Sequence, residues 1–84
     1  MKHATQAAFD LLDDVLEQLR RLPGLKEKSR GTFYVKAGAF LHFHEDPAGL
    51  FADLKESGDW VRYPVNTKAE RKRLVAQAQM LLDH

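Results

Sequence analysis

Two histidines, His42 and His44, are the side chains best suited to metal or proton chemistry. They are two residues apart, and residues at that spacing on a β-strand point to the same face. Glu45 and Asp46 follow directly, and imidazoles with carboxylates are ligands for Zn²⁺ and related ions. Two histidines are only half of a site, because a catalytic zinc takes about three protein ligands and a structural zinc four. We therefore expect these to be surface histidines at a strand end, with at most weak Zn²⁺ binding. We predict no cofactor and assign no residue as a metal ligand.

Basic residues at the start of the last predicted helix could contact phosphate groups. They are Lys68, Arg71, Lys72 and Arg73. They lie on all sides of a helical turn, so they do not form one stripe that could follow a nucleic-acid groove. The formal net charge is +1, which gives little reason to expect a nucleic acid and none to expect a membrane surface.

The sequence carries no recognisable nucleophile constellation. It has no cysteine, which excludes disulfides, thiolate metal sites and cysteine nucleophiles, and which is typical of a cytoplasmic protein. Ser29 and Ser57 have no catalytic partner that the sequence can place, and the glycines form no phosphate-binding loop. No apolar run approaches the roughly 20 residues of a membrane span. We expect a cytoplasmic protein that is not an enzyme.

A β-hairpin over residues 31–44 would position the two histidines. Gly38 is the loop residue that is free to adopt a positive φ, so we predict a three-residue loop, Lys36-Ala37-Gly38, with Gly38 in the left-handed region. Phe33 then pairs with Leu41. One face of the hairpin is apolar and should be buried: Phe33, Val35, Ala39, Leu41 and Phe43. The other face is mixed: Thr32, Tyr34, Lys36, Phe40, His42 and His44.

Two amphipathic helices flank this hairpin in the sequence. Apolar residues recur at spacings of three and four from Ala4 to Leu22, which predicts one helix that ends at Pro23-Gly24. A short basic connection follows over residues 25–30. The last helix begins at Thr67, which forms a capping box with Glu70.

The segment 47–57 allows two interpretations. Asp46 could cap a helix with Pro47 at its first position, or Asp-Pro-Ala-Gly could form a turn that leads into a strand. The strand is favoured because one register satisfies both faces. With Lys55 opposite Trp60, an apolar row lies on one face and Asp53 meets Arg62 on the other.

These elements predict a single α+β domain over residues 1–84: helix, four-stranded antiparallel β-meander, helix, with both helices on one sheet face. Two helices cannot cover both faces, so one face stays open and carries much of the aromatic content. We expect its binding residues to be Tyr34, Phe40, His42, His44, Trp60 and Arg62. Alternatively, Phe40 and Phe51 are covered by residues 25–30 or by the Pro47 loop.

The leading interpretation is therefore a binding or interaction domain that forms a homo-oligomer through its aromatic sheet face. Two alternatives stay open. The first is a nucleic-acid-binding domain that uses the sheet aromatics with Arg30, Lys55 and Arg62. The second is a divalent-metal-binding protein that uses His42 and His44.

The stretch HFHEDPAGLFADLK resembles a family of short bacterial proteins that carry a similar FLHFHEDPAGLFADL segment. The resemblance extends from Pro23 to Val65 and implies a small bacterial domain without a defined activity. More remotely, a first helix, a Pro-Gly, a Phe-rich hairpin and a late helix are similar to the YjbR/MmcQ-like proteins. Some of those are suspected of binding nucleic acid. This resemblance implies a fold and transfers no site residue.

Overall fold

The computed structural model describes the backbone of residues 2–83 and the side chains of residues 4–83. Its strands are β1 (Lys2–His3), β2 (Leu25–Ser29), β3 (Thr32–Val35), β4 (Gly38–Asp46), β5 (Gly49–Glu56) and β6 (Asp59–Pro64). Its helices are α1 (Gln6–Leu11), α2 (Asp13–Arg20) and α3 (Lys68–Leu82). None of these helices is both long enough and apolar enough to cross a lipid bilayer.

The sheet is an antiparallel meander of five strands in the order β2-β3-β4-β5-β6, and the short β1 pairs with the end of β4. One buried cluster joins apolar side chains of all three helices to Phe33, Leu41, Phe43 and Leu54 of the sheet. The predicted α+β class, with helices packed on one face of an antiparallel sheet, is confirmed. The predicted numbers of strands and helices are wrong, because the sheet has a fifth meander strand and the first helix is two helices.

The additional strand is β2, which was expected to be a loop. Its sequence, LKEKS, looks like a polar connection, but alternate residues face the helices. Leu25 packs against the core, and Glu27 accepts a hydrogen bond from Arg20 Nε at 2.6 Å. Arg20 allows the Glu27 carboxylate to face the helices. Because Arg20 lies on α2, this partner is not evident from the sequence of the strand itself.

The first helix is interrupted at Leu12, where φ is −97° and ψ is 9°. The break separates α1, which places Phe9 edge-on to Phe43 with ring centroids 6.3 Å apart, from α2, which buries Val15, Leu16 and Leu19. Leu11, an apolar residue of the predicted helix, lies outside the buried stripe and is 67% exposed.

The β3–β4 hairpin differs from the predicted one in its turn. The pair Phe33–Leu41 is confirmed, but Val35 pairs with Gly38 and the loop shortens to Lys36 and Ala37. Lys36, with φ 57°, occupies the left-handed region, whereas Gly38 does not.

A β-bulge at Phe40 restores the register between Tyr34–Ala39 and Phe33–Leu41. The additional residue changes the side to which Phe40 points, as bulges do. Phe40 therefore packs against the core cluster, and its predicted place on the open face is wrong.

The segment 49–56 is a strand, which settles the two interpretations in favour of the turn at Pro47. The predicted pairs Lys55–Trp60, Leu54–Val61 and Asp53–Arg62 are all present. A two-residue turn at Ser57-Gly58, with φ 53° and 88°, joins β5 to β6. This register decides which side chains share each face of the sheet.

The last helix begins as predicted. Thr67 Oγ1 accepts a hydrogen bond from Glu70 N at 3.1 Å, and Glu70 Oε1 accepts one from Thr67 N at 3.0 Å. Leu74 and Ala78 are fully buried against the sheet, so the capping box fixes where this helix covers the core.

Candidate functional site

Because the three helices pack on one side, the opposite side of the β-sheet is uncovered in the part of the chain that the structure describes. We call it the open face. Its side chains come from alternate positions of β3 to β6, and they include Tyr34, His42, His44, Phe51, Asp53, Lys55, Trp60 and Arg62.

A charged pair occupies the middle of the open face. Arg62 donates from Nε to Asp53 Oδ1 at 2.8 Å and from Nη2 to Asp53 Oδ2 at 2.9 Å. Asp53 is only 6% exposed. The hydrogen bonds from Arg62 hold the pKa of Asp53 below its ordinary value, and they outweigh burial, which alone would raise that pKa. The carboxylate is therefore ionised and compensated at neutral pH.

The two histidines extend this pair into a contiguous polar cluster. His44 Nε2 lies 2.9 Å from Asp53 Oδ2. The rings of His42 and His44 meet edge-on with centroids 4.6 Å apart, which confirms that they point to the same face. The ring of Trp60 lies 4.5 Å from that of His42. Four strand positions thus form one patch, defined here as the His–Asp cluster: His42, His44 and Asp53, with Trp60 beside it.

The His–Asp cluster has the composition of a metal-binding group. One ligand atom from each of His42, His44 and Asp53 lies within 4.8 Å of the others. Two imidazoles and a carboxylate are the number and type of ligands that an open zinc site uses. The sequence supplied only the two histidines, because Asp53 comes from the neighbouring strand.

Lysine side chains flank two of the exposed rings. Lys28 Nζ lies 5.1 Å from the ring centroid of Tyr34, and Lys55 Nζ lies 5.1 Å from that of Trp60. Both distances fall within the range of a cation–π contact. The open face is thus aromatic and basic at two separate points, on either side of the His–Asp cluster.

Five of the six predicted binding residues lie on the open face: Tyr34, His42, His44, Trp60 and Arg62. Phe40 is the exception. Arg30, a candidate phosphate contact, lies away from this face, because its guanidinium binds Gln6 Oε1 at 2.7 Å and Asp10 Oδ1 at 2.8 Å on α1. Within the basic group of α3, Arg71 donates to Val65 O at 2.9 Å.

The outermost strand, β6, is the second feature of this side of the molecule. It lies at one end of the sheet order and pairs only with β5 within residues 2–83. Trp60 is 42% exposed on the open face, and Val61 is 38% exposed on the helical face. Two large exposed apolar residues are therefore adjacent on a strand whose outer edge has no partner strand within residues 2–83.

A surface depression of about 370 Å³ lies elsewhere, between α1 and β3. Phe9, Arg30 and Thr32 contribute to its wall. The guanidinium of Arg30 already binds two side chains of α1. It is therefore not available to a charged ligand in this depression.

The chain matches no protein-family model, no curated protein and no solved structure. The resemblances to short bacterial proteins and to YjbR/MmcQ-like proteins therefore stay predictions. What the site can do follows from its own geometry.

Proposed function

We propose that this chain is a cytoplasmic, non-enzymatic interaction domain that forms a homodimer through strand β6 and the adjoining part of the open face. The observation that carries this proposal is the pair of exposed apolar residues, Trp60 and Val61, on a strand that pairs with β5 alone among the strands the structure describes. Unpaired edge strands with apolar side chains are ready templates for another strand.

The backbone of β6 is suited to such pairing. Alternate residues of an antiparallel strand direct their N–H and C=O groups to opposite sides. Val65 N donates to Leu50 O of β5 at 3.0 Å, so Val61 also directs its amide groups towards β5. Trp60 and Arg62 direct theirs to the outer edge. Pro64 has no N–H and ends the pairing segment.

A twofold register centred on Val61 uses these groups fully. It places Trp60 opposite Arg62 of the second copy, and each such pair exchanges two backbone hydrogen bonds. Val61 then meets Val61 of the second copy on the helical face. An antiparallel pair of identical strands is self-complementary, as a twofold dimer requires.

The charge distribution favours burial of this region. Arg62 is the cation nearest to the edge, and Asp53 already compensates it through two hydrogen bonds. Burial of a compensated pair costs less than burial of a lone charge. Apolar area contributes about 25 cal/mol per Å² when it is removed from water. Stable interfaces bury about 1,200–2,000 Å² in total, and a short edge lies at the lower end, so we expect micromolar association.

Two substitutions in β6 test this proposal by light scattering over a concentration series. Trp60→Ser removes apolar area from the open face, and Val61→Lys places a charge at the centre of the twofold register. We expect both to weaken the homodimer. Association of the unsubstituted protein should change little with salt, because apolar contacts and backbone hydrogen bonds dominate it.

Leu11→Ser and Met80→Ser are the matched controls. Both residues are exposed, at 67% and 53%, but they lie on α1 and α3 rather than on β6. They should leave the homodimer unchanged. A protein that is monomeric at high concentration would contradict the proposal, as would equal weakening by the α1 and α3 substitutions.

A second candidate function is binding of single-stranded nucleic acid on the open face. The observation that favours it is the placement of Lys28 over Tyr34 and Lys55 over Trp60, because such proteins combine stacking rings with nearby cations. Binding of an oligonucleotide should weaken steeply with salt, whereas homodimerisation should not. A fluorescence titration at two salt concentrations separates the two functions.

A further inference from the structure

We propose that the His–Asp cluster binds one divalent transition-metal ion through His42, His44 and Asp53. The inference goes beyond the proposed dimer and does not depend on it. It rests on the convergence of three side chains from two neighbouring strands on one point of the open face. His42 is directly opposite Asp53 in the β4–β5 register, and His44 lies two pairs further along, on the same face.

The distances allow a common ion after small side-chain movements. A tetrahedral zinc lies about 2.0–2.2 Å from nitrogen and oxygen ligands, which places neighbouring ligand atoms about 3.3–3.5 Å apart. His44 Nε2 and Asp53 Oδ2 are 2.9 Å apart and must separate by roughly half an ångström. The largest distance between two ligand atoms of the group is at most 4.8 Å, and this distance must shorten. Both changes are within the reach of side-chain rotation on a fixed backbone.

The surroundings supply outer contacts of the kind that metal ligands use. Arg62 binds both oxygens of Asp53, which orients the carboxylate. The second lone pair of Oδ2 faces His44 Nε2 at 2.9 Å, and an ion held between the two would take it. The ring of Trp60 packs against that of His42. The positive charge of Arg62 also opposes a cation. We therefore expect micromolar affinity rather than the much tighter binding of a structural zinc.

Three protein ligands leave at least one coordination position open. Open positions are typical of sites that hold water or an exchangeable ligand, whereas structural zinc sites are closed by four protein ligands. Neutral imidazole suits zinc, copper and nickel, and affinity rises towards Cu²⁺ in this series. Cu²⁺ and Zn²⁺ are therefore the probes with which to test the site.

The chain contains its own reporter for this site. Trp60 is the single tryptophan of the sequence, and its ring centroid is 4.5 Å from that of His42. A Cu²⁺ ion held by His42 should quench the fluorescence of Trp60. Zn²⁺ has a filled d shell and should not quench it. Because Cu²⁺ binds such ligands more tightly, Zn²⁺ should displace it and restore the emission only when added in large excess.

The test is a Cu²⁺ titration followed by Zn²⁺ competition, with matched variants. His42→Ala removes one ligand, and Asp53→Asn replaces a charged carboxylate ligand by a neutral amide. Each should raise the Cu²⁺ concentration needed for half-maximal quenching at least tenfold, as loss of even an outer-shell contact does. The variant with both His3→Gln and His84→Gln retains the cluster and should quench as the unsubstituted protein does. Val61→Lys, which should disrupt the homodimer, should also leave quenching intact, so failure of one proposal is distinguishable from failure of the other.

The outcome that overturns the proposal is quenching that persists in His42→Ala or disappears in the His3→Gln, His84→Gln variant. Should a cluster variant fail to fold, thermal unfolding of the unsubstituted protein decides. An ion that binds only the folded chain raises Tm with its concentration. A Tm that does not rise with Zn²⁺ contradicts the proposal.

Discussion

Asp53 and Arg62 form a two-pronged charged pair across β5 and β6, with Nε–Oδ1 and Nη2–Oδ2 distances of 2.8 and 2.9 Å. Through this pair, the nearly buried Asp53 at the centre of the open face is linked to the outermost strand, β6. It therefore connects the metal site that we propose to the edge at which we propose that the dimer forms. It also explains how an uncovered sheet face can hold an ionised carboxylate at its centre.

The first prediction concerns this pair. Arg62→Leu should lower the free energy of unfolding, because it removes two hydrogen bonds to a charged and nearly buried carboxylate. In the Asp53→Asn background, the same substitution should cost less. Denaturant unfolding of the four proteins in this cycle measures the coupling. Equal costs in both backgrounds would show that the two side chains contribute independently.

The second prediction compares two glycines of the hairpin region. Gly31 has φ 80°, and a Cβ there would lie 2.1 Å from Cε1 of Phe9, so it would clash with the edge of a buried ring. A Cβ on Gly38 would meet only Val35 O, at 3.8 Å, an ordinary contact. Gly31→Ala should therefore destabilise strongly, whereas Gly38→Ala should be tolerated. Thermal unfolding of both variants checks this, and a larger effect at Gly38 would restore the three-residue loop.

The third prediction concerns alkaline pH. Burial raises the pKa of Tyr63 to about 12, and the hydrogen bond that its hydroxyl donates to the Glu56 carboxylate adds to the shift. Since the folded pKa exceeds the ordinary value of 10.0, this tyrosine stabilises the fold below pH 10, and that contribution is lost as the pH rises towards 12.

Tyr63→Phe removes this titration while it retains the ring. The stability difference between the two proteins should shrink from pH 10 to 12, as measured by denaturant unfolding at several pH values. The lysines titrate in both proteins and cancel in the comparison. A difference that stays constant over this pH range would contradict the assignment.

The sequence predicted the parts of the fold that depend on local pattern. The β5–β6 register follows from alternation on both faces, since one alignment opposes Lys55 to Trp60 and also Asp53 to Arg62. The capping box of α3 is a local signal between Thr67 and Glu70. These elements need no information from distant residues, and the structure confirms them.

The parts that the sequence did not predict depend on distant partners. Strand β2 looked like a loop because the partner of Glu27, Arg20, lies on α2. The turn at Lys36 and the bulge at Phe40 act together. Lys36, and not a glycine, adopts the positive φ, and the bulge then turns Phe40 towards the core. No pattern within the hairpin distinguishes this solution from a glycine turn.

The site shows the same division. The spacing of the two histidines and the pairing of Asp53 with Arg62 are each evident from the sequence, but as two separate patterns. The register itself joins them, because Asp53 lies between His42 on β4 and Arg62 on β6. The cluster therefore depends on the alignment of three strands, β4, β5 and β6, and not on any one pair.

The most direct test of the homodimer is amide hydrogen exchange of β6 at low and high protein concentration. Trp60 and Arg62 direct their N–H groups to the outer edge, whereas Val61 directs its N–H towards β5 and serves as an internal reference. We predict that exchange at Trp60 and Arg62 slows as concentration rises, while Val61 is protected throughout. Fast exchange of Trp60 and Arg62 at all concentrations would contradict pairing of this edge with a second copy.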